Sequence, residues 1–398
     1  MKRLLLPLLR SVPDVWRSIG IALAFVALLE GAYVGQRAIR TAWFGSDEER
    51  EAQVEGHPYA GQAWYREFLR AREAAREKYD PWRSYWAYGT TSPQLTVDDA
   101  GYRVTPQPLE VSRAPRTVFL LGGSAMWGYT ARDSATIAAK VAAALPALGV
   151  TDVALLNLAQ PGYTVGHEVA ALGYELARGR RPAMAVFYDG INDIRTAHLY
   201  GEPGHAFFEQ RFGRTFEVEG TRGFFASFVT PAERSQLAAR IGLALGLNRA
   251  WQIKPHDPAV CPALGRYFVD TATSVAGLGS AWGFDVLFVQ QPNHAATKKP
   301  PTAFEATFMG PDEETAWTKE CSAAIDHAMA AGPVPFLSHG AIFDDVADTV
   351  FLDRFGHVTE DANARIAASL ASEIAKRLAP APAAGGGPAT APAAGGRE

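Results

Sequence analysis

Four short segments of this 398-residue chain carry the residue types that acyl transfer needs. They are Gly122-Gly-Ser-Ala-Met-Trp-Gly128, Gln160-Pro-Gly-Tyr163, Asp189-Gly-Ile-Asn-Asp193 and Asp353-Arg-Phe-Gly-His357. Ser124 follows two glycines, so its turn can be tight and its hydroxyl exposed at the start of a helix. Backbone N–H groups there lack intrahelical partners, and the dipole favours a developing anion. His357 can remove the serine proton, and Asp353 can orient the imidazole and stabilise it once charged. The Ser124 amide, the unhindered Gly162 amide and the Asn192 side-chain N–H could together hold an oxyanion. Gly123 and Asp193 flank these donors and are read with them as substrate-facing. His294, after Gln291-Pro-Asn293, could also touch substrate, although a solvated loop histidine is the plainer reading, as it is for the neighbouring Lys298, Lys299 and Glu305.

The elements that must position these residues alternate strand and helix. Short apolar runs closed by Gly or Pro predict strands over 117–121, 153–158, 184–188 and 284–289, with a last short one at 350–352. Helices are expected over 134–145, capped by Asp133 or Ser134, and over 165–177, 267–282, 314–330 and 359–377. Such alternation implies a three-layer αβα sandwich, its sheet mostly parallel and about five-stranded. Ligands gather beyond the carboxyl ends of the strands in sheets of this kind, and all four segments follow a strand.

In this order the four segments resemble the blocks of the SGNH/GDSL hydrolase family, of the bacterial, N-terminally anchored type. Its G-D-S pattern is matched by Gly122-Gly123-Ser124, with Gly123 where the family has Asp. Its block-two glycine is matched by Gly162, and its G-x-N-D block by Gly190-Ile-Asn192-Asp193. The D-x-x-H block, often continued as H-x-T-x-x-G-N, is matched by His357-Val-Thr-Glu-Asp-Ala-Asn363, with Ala362 where Gly is common. Asp353 lies one residue farther from His357 than the family spacing, so Asp344, Asp345 and Asp348 stand as substitutes for the triad acid. The resemblance runs from about residue 115 to 378. A stretch before it, Thr96-Val-Asp-Asp-Ala-Gly-Tyr-Arg103, is similar to one found in anchored members. It implies an SGNH-hydrolase, flavodoxin-like fold and a serine esterase working through an acyl-serine. An O-acyltransferase with the same site, or a non-catalytic envelope scaffold, remain as alternatives. The segment is not the G-x-S-x-G elbow of α/β-hydrolases, because Met126 stands where the second Gly would be.

Other chemistries find less support. A net charge of −4 provides no basic footprint for nucleic acid. Gly277-Leu-Gly-Ser-Ala-Trp-Gly283 precedes a strand instead of following one, so it reads as a helix end and not as a dinucleotide fingerprint. His167-Glu168 lacks the second His of a zinc-binding helix, and no metal or cofactor is expected. Cys261 and Cys321 form no C-x-x-C pair; they could be joined in an oxidising compartment or be two buried thiols.

Basic residues Lys2, Arg3, Arg10 and Arg17 precede an apolar run over 19–34, broken only by Glu30. Extended back to Val15 it reaches about 20 residues, enough to cross a bilayer core. Residues 1–40 are therefore read as an uncleaved signal anchor, oriented N-inside, with the rest of the chain periplasmic or otherwise extracytoplasmic. Residues 41–114 are expected to form an exposed juxtamembrane helix (65–78) and an irregular linker. Residues 115–378 form the hydrolase-like domain, with an insertion over about 200–261 that could shape a pocket. Residues 379–398 read as a disordered Ala/Pro/Gly tail. The implied partners are an ester-bearing small molecule, glycan or lipid and, through the anchor, the inner membrane. Oligomeric state is left open.

Overall fold

The computed structural model describes residues 56–206 except 76, residues 257–379 except 311, and scattered positions between 16 and 39. The described positions between 16 and 39 are helical. Among the described residues no helix is long and apolar enough to cross a membrane. The tail beyond 379 and most of the 200–261 insertion, with its aromatic pairs and amphipathic stretch, lie outside the described residues.

The sheet has five strands, all parallel: β5 (Arg116–Gly122), β6 (Val153–Asn157), β7 (Met184–Asp189), β8 (Asp285–Gln290) and β9 (Phe336–Ser338), in the order β6-β5-β7-β8-β9. β7 is buried at every residue, as its unbroken apolar run requires of a central strand. Side-chain alternation splits the strands between two cores. Val118, Leu120, Val186, Tyr188, Leu287 and Val289 face one side, against α3 (Ile137–Ala144) and α8 (Glu360–Leu378). Phe119, Leu121, Ala185, Phe187 and Phe288 face the other, against α4 (Val165–Ala177), α6 (Val260–Trp282) and α7 (Glu313–Ala330). Phe187 and Phe288 stack across β7 and β8 with ring centroids 4.6 Å apart. Cys261 of α6 and Cys321 of α7 form a disulfide within this second core, which resolves the choice left open above.

Local chemistry fixes the helix ends. Thr136, not Asp133 or Ser134, caps α3 by accepting from the Ala139 amide. Residues 133–135 are a separate 3-10 turn, and Asp133 is spent on Arg103. Thr359 caps α8 in the same way, and α6 ends on Gly283 in the left-handed region, as expected of a helix end. The segment 350–352 does not join the sheet: it makes only one bridge, Phe351 to Val358, which closes the loop that carries His357. The fifth strand is instead β9, three residues long and directly preceded by Pro335, too short to leave an apolar signature.

Residues 56–114 pack against this sandwich. α1 (Ala63–Ala74), expected to be solvated, buries Tyr65, Phe68, Leu69, Ala71 and Arg72, and its apolar side chains belong to the first core. An antiparallel hairpin follows, β1 (Glu77–Asp80) with β2 (Ser84–Ala87), then a second small pair, β3 (Thr90–Thr91) with β4 (Thr96–Val97). Tyr85 and Trp86 of β2 are buried in the second core.

Candidate active site

The strand order reverses at β5, whose two neighbours β6 and β7 follow it in sequence. Ser124 stands just beyond β5, and Asn192, in the first turn of α5 (Ile191–Tyr200), just beyond β7, so both lie at this reversal point. Ser124 opens a single helical turn, α2 (Ser124–Trp127), which Gly128 ends in the left-handed region at φ 87°. Asn157, closing β6, donates to the Met126 carbonyl at 3.0 Å and so fixes that turn from the neighbouring strand.

The Ser124 Oγ is 2.7 Å from His357 Nε2, and His357 Nδ1 is 2.6 Å from Asp353 Oδ2. Burial raises the Asp353 carboxyl, but the charge and hydrogen bond of His357 and the Phe355 and His357 amides outweigh it and leave it below the usual carboxylate range. An ionised carboxylate only accepts, so Nδ1 carries the imidazole proton and Nε2 is left to accept from the serine hydroxyl. The tautomer that a general base needs is therefore imposed by the partner on its far side. His357 itself is buried, whereas Asp353 is partly exposed.

The four-residue spacing between Asp353 and His357 is accommodated by the loop itself. Leu352 N donates to His357 O at 2.9 Å and Thr359 N to Val350 O at 2.9 Å, while Gly356 at φ 75° turns the chain back. Of the other aspartates, Asp344 accepts from Thr297 and Lys298, Asp345 pairs with Arg365, and Asp348 lines a groove of about 440 Å³ beside Trp64. None of those three bonds His357 among the described residues. Lys299 and Glu305, expected in solvent, are a buried ion pair. Glu305 also accepts from the Val350 and Phe351 amides and so anchors the chain entering the loop.

The oxyanion candidates also converge. Gln160-Pro161-Gly162-Tyr163 is a turn with Gly162 at φ 78° and Tyr163 N donating to Gln160 O. Asn192 Nδ2 donates to Tyr163 O at 2.7 Å, tying the segment after β7 to that turn. A Cβ built on Gly123 would fall on Asn192 Nδ2. Glycine at 123, where the family pattern has Asp, leaves room for this placement of Asn192.

Asp193 is buried and accepts from the Val165 amide at the start of α4, at 3.2 and 3.3 Å, which is a structural engagement. His294 is also buried, and among the described residues neither ring nitrogen has a hydrogen-bond partner. Burial, then the charge of the nearby Arg354, lowers its pKa. Among the described residues no His, Cys, Asp and Glu cluster could hold a metal ion.

The sequence reading missed Tyr129, whose ring stacks on His357 with centroids 5.0 Å apart and planes inclined by 24°. It also missed Arg103, which is fully buried beside the nucleophile turn. Only its place in Thr96–Arg103 hinted at a role.

No family model matches the chain, and no curated protein matches it. Solved structures do. A lipase/acylhydrolase from Enterococcus faecalis is 18% identical with a TM-score of 0.39, covering 67% of this chain and 100% of its own. A member of the lipolytic G-D-S-L family from Veillonella parvula is 13% identical with a TM-score of 0.38, covering 66% of this chain and 100% of its own. An acetylxylan esterase from Geobacillus stearothermophilus is 12% identical with a TM-score of 0.37, covering 66% and 94%.

Proposed function

We propose that this chain is a serine esterase that hydrolyses an O-acyl ester through an acyl-serine intermediate. The observation that carries the reading is the unbroken line Ser124 Oγ to His357 Nε2, then His357 Nδ1 to Asp353. In the first half-reaction Ser124 Oγ attacks the ester carbonyl as His357 takes its proton. The new oxyanion rests on the Ser124 and Gly162 amides and the second N–H of Asn192. The tetrahedral intermediate collapses, the alkoxide leaves with the proton held on His357, and the acyl group stays on Ser124. Water, deprotonated by His357, then repeats the sequence and releases the acid. Asp353 stays ionised throughout and stabilises the imidazolium. His294, buried and without a hydrogen-bond partner among the described residues, would offer a polar group of the substrate a hydrogen bond.

The reading extends to an extracytoplasmic enzyme acting on a cell-surface glycan or lipid while held to the inner membrane. The Cys261–Cys321 disulfide supports the compartment, since such bonds persist where thiols are not kept reduced. Exposed Ile21, Phe25, Leu28 and Val34 support the anchor, because an apolar surface of this kind needs cover.

The test is turnover of a short-chain nitrophenyl ester by the full chain and by Ser124→Ala. Loss of turnover by at least about 10³-fold in the variant is expected. Equal turnover would refute the esterase reading. A reporter fused to the C-terminus tests the compartment: activity confined to the cytoplasm is the contrary result.

A further inference from the structure

Two buried arginines from the segment ahead of the sheet converge on the loop that follows the nucleophile. Arg103 is 1% exposed. Its Nη1 donates to Trp127 O at 3.4 Å and Gly128 O at 3.2 Å, its Nη2 to Ala131 O at 2.9 Å, and its Nε to Asp133 Oδ1 at 2.8 Å. The Asp98–Gly101 turn delivers it: Asp98 accepts from Tyr102 N, and Gly101 sits at φ 84° against Trp86, where a Cβ would overlap the ring. Arg72, on α1, donates from Nη1 to Tyr129 O at 3.2 Å and lays its guanidinium 4.0 Å from the Tyr129 ring centroid.

The residue both arginines bracket, Tyr129, is the one that stacks on His357. The next residue, Thr130, donates from Oγ1 to Val358 O at 3.0 Å, immediately after the histidine. Tyr59, also ahead of the sheet, accepts from Glu360 N at 2.7 Å. The His357 loop has only one bridge of its own, so its orientation depends on what packs against it. A guanidinium on a ring face and on the same residue's carbonyl restrains both the ring and its backbone.

We propose that Arg72 is a positioning residue for His357, acting through Tyr129, while Arg103 holds the turn that carries Tyr129, and that the segment 56–103 is therefore part of the catalytic apparatus and not a spacer. This rests on His357 being the general base of the proposed esterase. The arginines touch no reacting atom. Their effect is to hold the imidazole in line between Ser124 and Asp353, where misplacement by about 1 Å can cost 100-fold in rate.

The experiment compares the full chain with Arg72→Ala, Arg72→Lys, Tyr129→Leu and Tyr129→Phe by two readouts. One is the rate at which a fluorophosphonate labels Ser124, with kcat and KM for a nitrophenyl ester. The other, independent of turnover, is the downfield proton resonance of the His357–Asp353 hydrogen bond. Arg72→Ala and Tyr129→Leu are expected to cut labelling and kcat about 10-fold, leave KM within about 2-fold, and broaden or lose the resonance. Tyr129→Phe, which keeps the stacked ring, should lose less than Tyr129→Leu, and Arg72→Lys should recover part of the loss. Parent-like labelling and an unchanged resonance in both Arg72→Ala and Tyr129→Leu would overturn the proposal. A parent that is never labelled, but whose resonance is lost in those two variants, supports the positioning role and sinks the esterase reading alone.

Discussion

Two regions beside the nucleophile turn hold their carboxyls in opposite ways. In the His357 loop, Asp353 has a basic partner at 2.6 Å and two amides, and is held ionised despite its burial penalty. Beneath the Asn192 turn, Glu168, Asp189 and Asp193 are buried together, and none forms an ion pair with a described Lys, Arg or His. Burial, then the charge of Asp189, raises Glu168 well above the usual range; burial and Asp189 do the same to Asp193. Burial pushes Asp189 itself up to about 6. Among the described residues Glu168 accepts no hydrogen bond, and shared burial favours the protonated forms of the cluster. A basic partner, more than depth, separates the lowered carboxyls from the raised ones. Glu305, deep but bonded to Lys299, falls with Asp353.

The contrast can be broken most sharply at Asp353. Asp353→Asn removes the charge that fixes the His357 tautomer, and kcat should fall by roughly 10³- to 10⁴-fold. Asp345→Asn, which loses only an exposed pair with Arg365, should leave steady-state kcat within about 2-fold. Comparable losses in the two would show that Asp353 is not the distinguishing acid.

A smaller effect is expected from the unpartnered cluster, and it concerns stability. Raised carboxyl values mean the folded state holds protons that the unfolded chain releases above about pH 4. Stability contributed by the protonated cluster is therefore present in acid and declines as pH rises through the Asp189 value near 6 and beyond. Glu168→Gln, which needs no proton to stay neutral, should flatten that decline and raise the urea midpoint at pH 8 relative to the parent. Parallel midpoint profiles from pH 5 to 8 would show that the cluster is charged after all.

Much of this frame could be read from residue order. Helix α4 lies over the expected 165–177, and the first four sheet strands fall within a residue or two of their expected ends, because Gly and Pro close each run. The meeting of Ser124, Gly162 and Asn192 was legible because their segments follow β5, β6 and β7, whereas the His357 segment follows an isolated bridge and not a sheet strand. What could not be read is long-range. Nothing in 65–78 signals that Phe68 is buried in the first core or that Arg72 bonds a loop residue 57 positions later, since the helix is studded with charge. The extra residue between Asp353 and His357 could be judged only once Gly356 was seen to turn the loop. The fit of Gly123 depends on Asn192, which is distant in sequence and adjacent in space.

The central claim is that Ser124 is a nucleophile primed by His357 and Asp353. Mass spectrometry of the full chain after exposure to a fluorophosphonate at neutral pH tests it most directly. The account predicts a single phosphonyl adduct on the peptide containing Ser124, formed at least about 100-fold more slowly in His357→Ala. An adduct on another residue, or none, or equal labelling without His357, would contradict it.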